Sequence, residues 1–320
     1  MLGELINPYY LQVASFILIN IILALSIYVT LASGQLSLGH AGFMAVGAYT
    51  TALLTTQFEV SLIVGIIAGT LLSGLLGIIV GIPSLRLTGV FLAIATLGFG
   101  EIVRVFLINA EQITNGSIGI SGIPQLGKEV LTVMEGFGFN PDALGITANQ
   151  FVFATIFIVL LIIDLILIWF FLRQKNSRVG RAFSAIKMDE AAAASMGINV
   201  TYYKVLSFTQ GALFAGFAGA LYAHVLSYIS PADFSYHKAV EILIFTVFGG
   251  SEVVIGAVFG ATFLTLLPEV LRGVSDYRFM IYGVLLVVMM AYRPQGIIDE
   301  NMLRWFKRKK GGKRHGAKNK

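Results

Sequence analysis

Cysteine is missing from all 320 positions, which removes disulfides, thiolate metal sites and cysteine nucleophiles together and leaves the redox compartment open. Charge is scarce as well. Asp, Glu, Lys and Arg make up 12% of the chain, about half the usual share, while 57% is hydrophobic and mean hydropathy is +0.83. No positive residue precedes the first apolar run in MLGELINPYYLQ, and no small-residue pattern clearly ends that run, so a removable signal peptide is not expected. The histidines at 40, 224, 237 and 315 are scattered, with no H-E-x-x-H or G-x-S-x-G arrangement, and an enzyme is not expected. GIPQLGKE, Gly122 to Glu129, satisfies G-x-x-x-x-G-K but carries Glu129 where a phosphate loop needs Ser or Thr for magnesium. Any ATP must be hydrolysed by another chain.

What the chain has is repeated apolar runs of about 20 residues, the length that crosses a bilayer. They fall at about 9–32, 36–56, 60–82, 88–109, 150–172 and 202–228, with a further pair inside 238–271 and a last run at 277–293. Between residues 173 and 187 lie Arg173, Lys175, Arg178, Arg181 and Lys187 with no acid, which marks that stretch as cytoplasmic. Residues 110–149 carry Glu111, Glu129, Glu135 and Asp142 against Lys128 alone, which suits the outer side. Counting back puts Arg86 inside and the N-terminus outside. Nine of the 22 basic residues lie from Arg304 to Lys320, so the net charge of +5 belongs to a cytoplasmic tail at 303–320 facing an anionic leaflet and not to a nucleic-acid site. Parity then requires the 238–271 stretch to cross twice, turning inside near GGSE at 249–252. The expected fold is all-α: a polytopic membrane helix bundle of about nine spans over residues 1–302, with a short cytoplasmic helix. The short run at 238–250 reads as a broken or re-entrant helix, tolerated where protein or a water-filled cavity shields its backbone.

Among 35 glycines, Gly65/Gly69, Gly77/Gly81 and Gly256/Gly260 have GxxxG spacing, which lets helices approach closely. Ionisable groups within apolar runs are functional candidates because lipid burial is costly. Glu101 and Arg104 are spaced to pair on one helix, either orienting it near the outer surface or serving transport; Asp164, in LLIIDLILIW, has no visible partner and serves either a contact with another helix or subunit or transport itself. GQLSLGHAGFMAVGAYT, Gly34 to Thr50, places Gln35, Ser37, Gly39 and His40 at the inner end of the second span. It reads as a turn between two helices or as irregular backbone beside a translocation path, and spacing alone does not choose.

GRAFSAIKMDEAAAASMGINV, Gly180 to Val200, is too polar to span and stops at Gly197. As one helix it would put Phe183, Ile186, Glu190, Ala193, Ala194 and Gly197 on a single small face, for a partner protein or for the lipid interface. That segment, taken with GQLSLGHAGFMAVGAYT, TLGFGEIVRVF, TNGSIGISGIP, LSFTQGALFAGFAGALYAH and RPQGII in this order over nearly the whole chain, resembles the M-type permease subunits of branched-chain amino acid ABC importers, the LivM family. The resemblance implies import of leucine, isoleucine and valine across the cytoplasmic membrane. It implies an H-type permease partner, two ATPase subunits that use ATP and magnesium, and an extracytoplasmic solute-binding protein, with no cofactor bound by this chain. It also implies an ATPase-coupling segment at about 178–200, comprising Gly180, Arg181, Phe183, Ile186, Asp189, Glu190, Ala191, Ala192, Ala193 and Gly197. The family-wide spacing has Gly six residues after the Glu of E-A-A; here Gly197 follows Glu190 by seven and no Leu-Pro comes after. The rival expectations are the same architecture with another cargo, such as urea, short amides or other amino acids, an ion-coupled secondary transporter, and a structural membrane protein.

Overall fold

The computed structural model describes residues 7–136, 147–270 and scattered positions from 277 to 298. The tail at 303–320 and much of the expected last span lie outside the described residues. Among the described residues five helices are long and apolar enough to cross a membrane: α1 (Pro8–Ala32), α3 (Leu62–Ser84), α4 (Val90–Asn109), α6 (Ala148–Lys175) and α9 (Val200–Leu226). Between them run α2 (His40–Thr56), α5 (Leu126–Gly136), α7 (Arg178–Met188) and α8 (Glu190–Ser195), and α10 (Tyr236–Gly249) and α11 (Val254–Val270) follow. Two short strands, β1 (Ile120–Ser121) and β2 (Tyr228–Ile229), pair antiparallel where the 110–125 loop meets the end of α9.

Local chemistry sets several boundaries. Asn7 accepts from the Tyr9 amide with Pro8 at the first helical position of α1, and Thr147 with Gln150 closes a capping box on α6. The second apolar run is helical over only part of its length, since residues 35–39 form no regular structure and α2 starts only at His40. At 14 residues α10 rises about 21 Å, less than the roughly 30 Å of a bilayer core. The 3-10 turn Pro231–Phe234 precedes it, with Pro231 and Phe234 buried and Ala232 and Asp233 bordering a cleft, so the non-helical backbone there meets protein and a cavity as the membrane requires.

α9 packs against α1, α2 and α3, and α1 lies at the centre of the molecule. The apolar pattern of α3 is reversed relative to a soluble helix. Its inward face is Gly65, Gly69, Ser73, Gly74, Gly77, Gly81 and Ser84, while Ile63, Ile67, Leu71, Leu75, Ile78 and Ile82 point outward. In lipid, large apolar groups gain nothing by turning inward, whereas small ones let backbones touch. All three GxxxG pairs sit at such contacts: Gly65 and Gly69 meet Thr51 and Gly47 of α2, Gly77 and Gly81 meet Ala212 and Phe208 of α9, and Gly256 and Gly260 meet Gly249 of α10. The tightest junction joins three helices, where a side chain on Gly47 would strike the Gly216 carbonyl and one on Gly216 would strike Ser73. Ser73 Oγ closes it by donating to Phe43 O at 3.1 Å and Gly69 O at 2.9 Å.

α10 and α11 form a hairpin around Gly250–Val253, and Ile297 and Ile298 return to donate their amides to Phe248 O at 3.1 Å and Gly249 O at 3.0 Å. The RPQGII segment therefore ends beside the GGSE turn. Lys175 and Lys187 also reach Glu252, so that turn shares one end of the bundle with α7.

A Gly47→Ala substitution is expected to cost about 3 kcal/mol by forcing α2 from α9, whereas Gly98→Ala, with nothing within 4 Å of the added carbon, gains roughly 0.5 kcal/mol of helix propensity. Thermal unfolding of the detergent-solubilised proteins, read by size-exclusion recovery, separates the two.

Candidate functional site

The segment at 178–200 is an elbow and not one helix. Ser177 caps α7 by accepting from the Gly180 amide at 3.3 Å, and Gly180 lies against the carbonyls of Gln174 and Lys175, too close for any side chain. Arg181 donates to Asn176 O at 2.9 Å and so holds the turn out of α6. At Asp189 the backbone goes extended (φ −159°, ψ 114°) and its carboxylate takes the amides of Ala191 at 2.8 Å and Ala192 at 3.0 Å. An aspartate that bonds the following amides offers an alternative to continuing the helix, which is why α7 stops at Met188 and α8 starts afresh. α8 ends on a Schellman motif: Gly197 has φ +81°, its amide bonds Ala194 O, and the Ile198 amide bonds Ala193 O.

This break corrects the single-face expectation. Phe183, Ile186 and Ala193 are buried against the protein's own body, with Phe183 edge-on to Tyr203 at 6.2 Å, so they hold the elbow down. The residues left outward include Met188, Ala191, Ala192, Ala194, Ser195 and Met196. Glu190 is half-exposed and forms an ion pair with Lys204, whose side chain is otherwise buried in the first turns of α9. Lys187 pairs with Glu252 at 3.5 Å, and Lys175 Nζ donates to Glu252 O at 2.8 Å. The elbow is thus tied on one side to α9 and on the other to the α10–α11 turn. A cleft of about 300 Å³ opens between them, lined by Tyr28, Phe171, Gln174, Phe183, Ser184 and Glu252 among others.

Gln35, Ser37, Gly39 and His40 come together in a closed polar knot. Ser207 Oγ donates to Gln35 Oε1 at 2.9 Å, the Ser33 and Ser207 hydroxyls are 2.6 Å apart, and Thr96 Oγ1 accepts from the Leu38 amide at 2.9 Å. His40 Nε2 donates to Ser26 O at 3.2 Å, and Gly39 lies against Thr96. Ser33, Gln35, Ser37, His40, Thr96 and Ser207 are all buried among the described residues, so this turn ties α1, α2, α4 and α9 together.

Glu101 and Arg104 do pair, with Nε 2.9 Å from one carboxylate oxygen and 3.0 Å from the other, on the partly open face of α4. Asp164 is buried at 2% exposure, and neither carboxylate oxygen has a hydrogen-bond partner among the described residues. The structure brings Asp164 to none of the other candidates. Among the described residues no group of three His, Asp or Glu is placed to hold a metal ion.

Sequence reasoning missed two sets. Lys204 and Glu252 anchor the elbow, and only their charge at the margins of apolar runs signalled them. Asn20, Lys238 and Glu241 form a second polar cluster, in which Lys238 Nζ donates to Asn20 Oδ1 and Glu241 Oε2, both at 3.1 Å, and Asn20 Nδ2 donates to Thr265 Oγ1 at 3.1 Å. A Lys and a Glu three residues apart at the start of a short apolar run was the available signal.

A family model described as a branched-chain amino acid transport system permease component matches residues 9–290. The high-affinity branched-chain amino acid transport permease protein LivM of Salmonella typhimurium is 36% identical over 300 residues, 90% of this chain and 69% of that protein. LivM of Escherichia coli is 35% identical over the same extent. The E. coli LivH permease is 29% identical over 201 residues, 61% of each chain. No solved structure matches the chain.

Removing the cap with Asp189→Ala is expected to cost about 1 kcal/mol, raising hydrogen exchange at the Ala191 and Ala192 amides roughly fivefold while α9 is unchanged, as mass-spectrometric exchange would show. Asp164→Leu removes an unpaired buried carboxyl and is expected to stabilise the solubilised protein by about 1–3 kcal/mol in a thermal melt.

Proposed function

Because this chain belongs to the permease family of branched-chain amino acid transport systems, and is a multi-pass membrane component of such a system, we propose that it forms half of the pathway of an ATP-driven importer of leucine, isoleucine and valine. An H-type permease supplies the other half. Two ATPase subunits dock from the cytoplasm, and an extracytoplasmic binding protein delivers the cargo. The chain sits in the inner membrane with its N-terminus outside and its C-terminus in the cytoplasm, a reading supported by the basic residues clustered on α7 and the end of α6. Residues 1–302 serve as the permease domain and 303–320 as its tail.

One observation carries the mechanism: the elbow is bound to two separate parts of the bundle, through Glu190–Lys204 and Lys187–Glu252. A subunit that grips the outward side of α8 at Ala191, Ala192 and Ala194 moves α9 and the α10–α11 turn together. ATP binding and hydrolysis then favour inward- and outward-opening arrangements in turn, and a strongly biased two-state equilibrium needs about 5 kcal/mol of differential binding to reverse. The Gly180, Arg181 and Asp189 contacts keep the elbow stiff enough to carry that load, while Phe183, Ile186 and Ala193 seat it and Gly197 ends it.

Deleting the gene is expected to abolish ATP-dependent uptake of labelled leucine in cells lacking other leucine carriers, with isoleucine and valine competing in the parent. Ala192→Trp, on the outward side of α8, should leave membrane abundance intact and lower that uptake at least about tenfold. Ala193→Trp, on the buried side, should instead lower abundance. Uptake that survives ATP depletion and follows an ion gradient would replace this mechanism.

A further inference from the structure

Lys238 and Glu241 stand in a cleft of about 440 Å³ between α1, α10, α11 and the outer end of α9. The volume is in the range of small-molecule sites. Asn20, to which Lys238 donates, is the thirteenth residue of α1 and lies about 18 Å from its start, near the middle of the membrane. Lys238 is the third residue of α10, a helix too short to span, so its positive N-terminal end points into the same space. The two side chains are largely covered, at 18% and 25% exposure, yet both open onto the cleft.

The charges are asymmetric. Asp233, Glu241 and Glu269 line the cleft against Lys238 alone, with His237 at the rim. Asp233 is pinned by the Ser230 amide at 2.8 Å and the Ser230 hydroxyl at 3.1 Å, both on one oxygen, and Glu269 accepts from the Tyr9 hydroxyl. Lys238 spends two of its three protons, on Asn20 and Glu241, and one remains for an anionic group. Next to these groups Val13, Phe16 and Tyr222 supply an apolar wall.

We propose that this cleft binds the transported α-amino acid by its zwitterionic head, Lys238 and the start of α10 taking the carboxylate, Glu241 and Asp233 the ammonium, and the Val13–Phe16–Tyr222 wall the apolar side chain. The inference rests on the import reading above and adds where on this chain the cargo is held. A charged pair kept at mid-membrane is costly unless it is used, and a pair that served packing alone would be replaceable on both sides at once, since exchanging both partners of a covered ion pair for neutral groups is often near neutral.

The double substitution Lys238→Met with Glu241→Gln, made in the full transporter, separates these roles. It is expected to leave assembly and membrane abundance in place and to lower leucine uptake at least about tenfold. Uptake within twofold of the parent would overturn the site. Should the double variant fail to assemble, the unaltered transporter is labelled with a diazirine analogue of leucine. Peptides covering Val13–Asn20 and Tyr222–Glu241 are expected to take the label and lose it under excess leucine; labelling confined elsewhere overturns the site. A parent transporter that carries no leucine overturns the import reading and this site with it, a result distinct from a working parent whose altered form works equally well.

Discussion

Everything in this bundle depends on helix backbones being able to touch. Inside lipid there is no water for apolar side chains to escape, so association comes from close packing and from hydrogen bonds that close spacing permits. The Gly47–Gly216–Ser73 junction provides both, for α2, α3 and α9 at once. With the backbones in contact, Thr246 Oγ1 reaches Ala24 O at 3.0 Å, Thr51 Oγ1 donates to His224 Nε2 at 3.0 Å, and His224 Nδ1 donates to Pro124 O at 2.7 Å. A bundle spaced by leucines would leave these partners too far apart.

A rigid centre leaves the margins free to specialise. The elbow at Asp189 and the cleft at Lys238 lie at opposite ends of α10 and share that helix as their connection: the turn after its C-terminus carries Glu252, its first turn Lys238. A push on α8 therefore needs no long chain of side-chain rearrangements to reach the polar cleft. It needs only that α10 move as a unit against α1 and α11, to which it is fitted through Gly249, Gly256 and Gly260.

The long spans were legible because hydropathy runs and bilayer thickness are matched quantities, and the 238–271 stretch does divide into two helices, α10 and α11, each shorter than the five spanning candidates. The GxxxG pairs were legible for the same physical reason they are used. The elbow was misread because helical periodicity assumes a continuous helix; Asp189 can cap as readily as it can continue, and only its two accepted amides show which it does. The knot of Gln35, Ser37 and His40 resisted reading because a buried polar turn and a polar pathway have the same composition and differ in what packs over them. Lys238 and Asn20 are 218 residues apart in sequence, and no local pattern joins them.

The return of Ile297 and Ile298 to the carbonyls of Phe248 and Gly249 has a consequence in time. Those two acceptors belong to the end of α10, yet their donors leave the ribosome 49 residues later, a delay of roughly 2–10 s at ordinary rates of synthesis. Through that interval the hairpin of α10 and α11 sits in the bilayer with its turn unsealed. Arrival of Ile297 and Ile298, and not insertion of the hairpin, is what closes this turn.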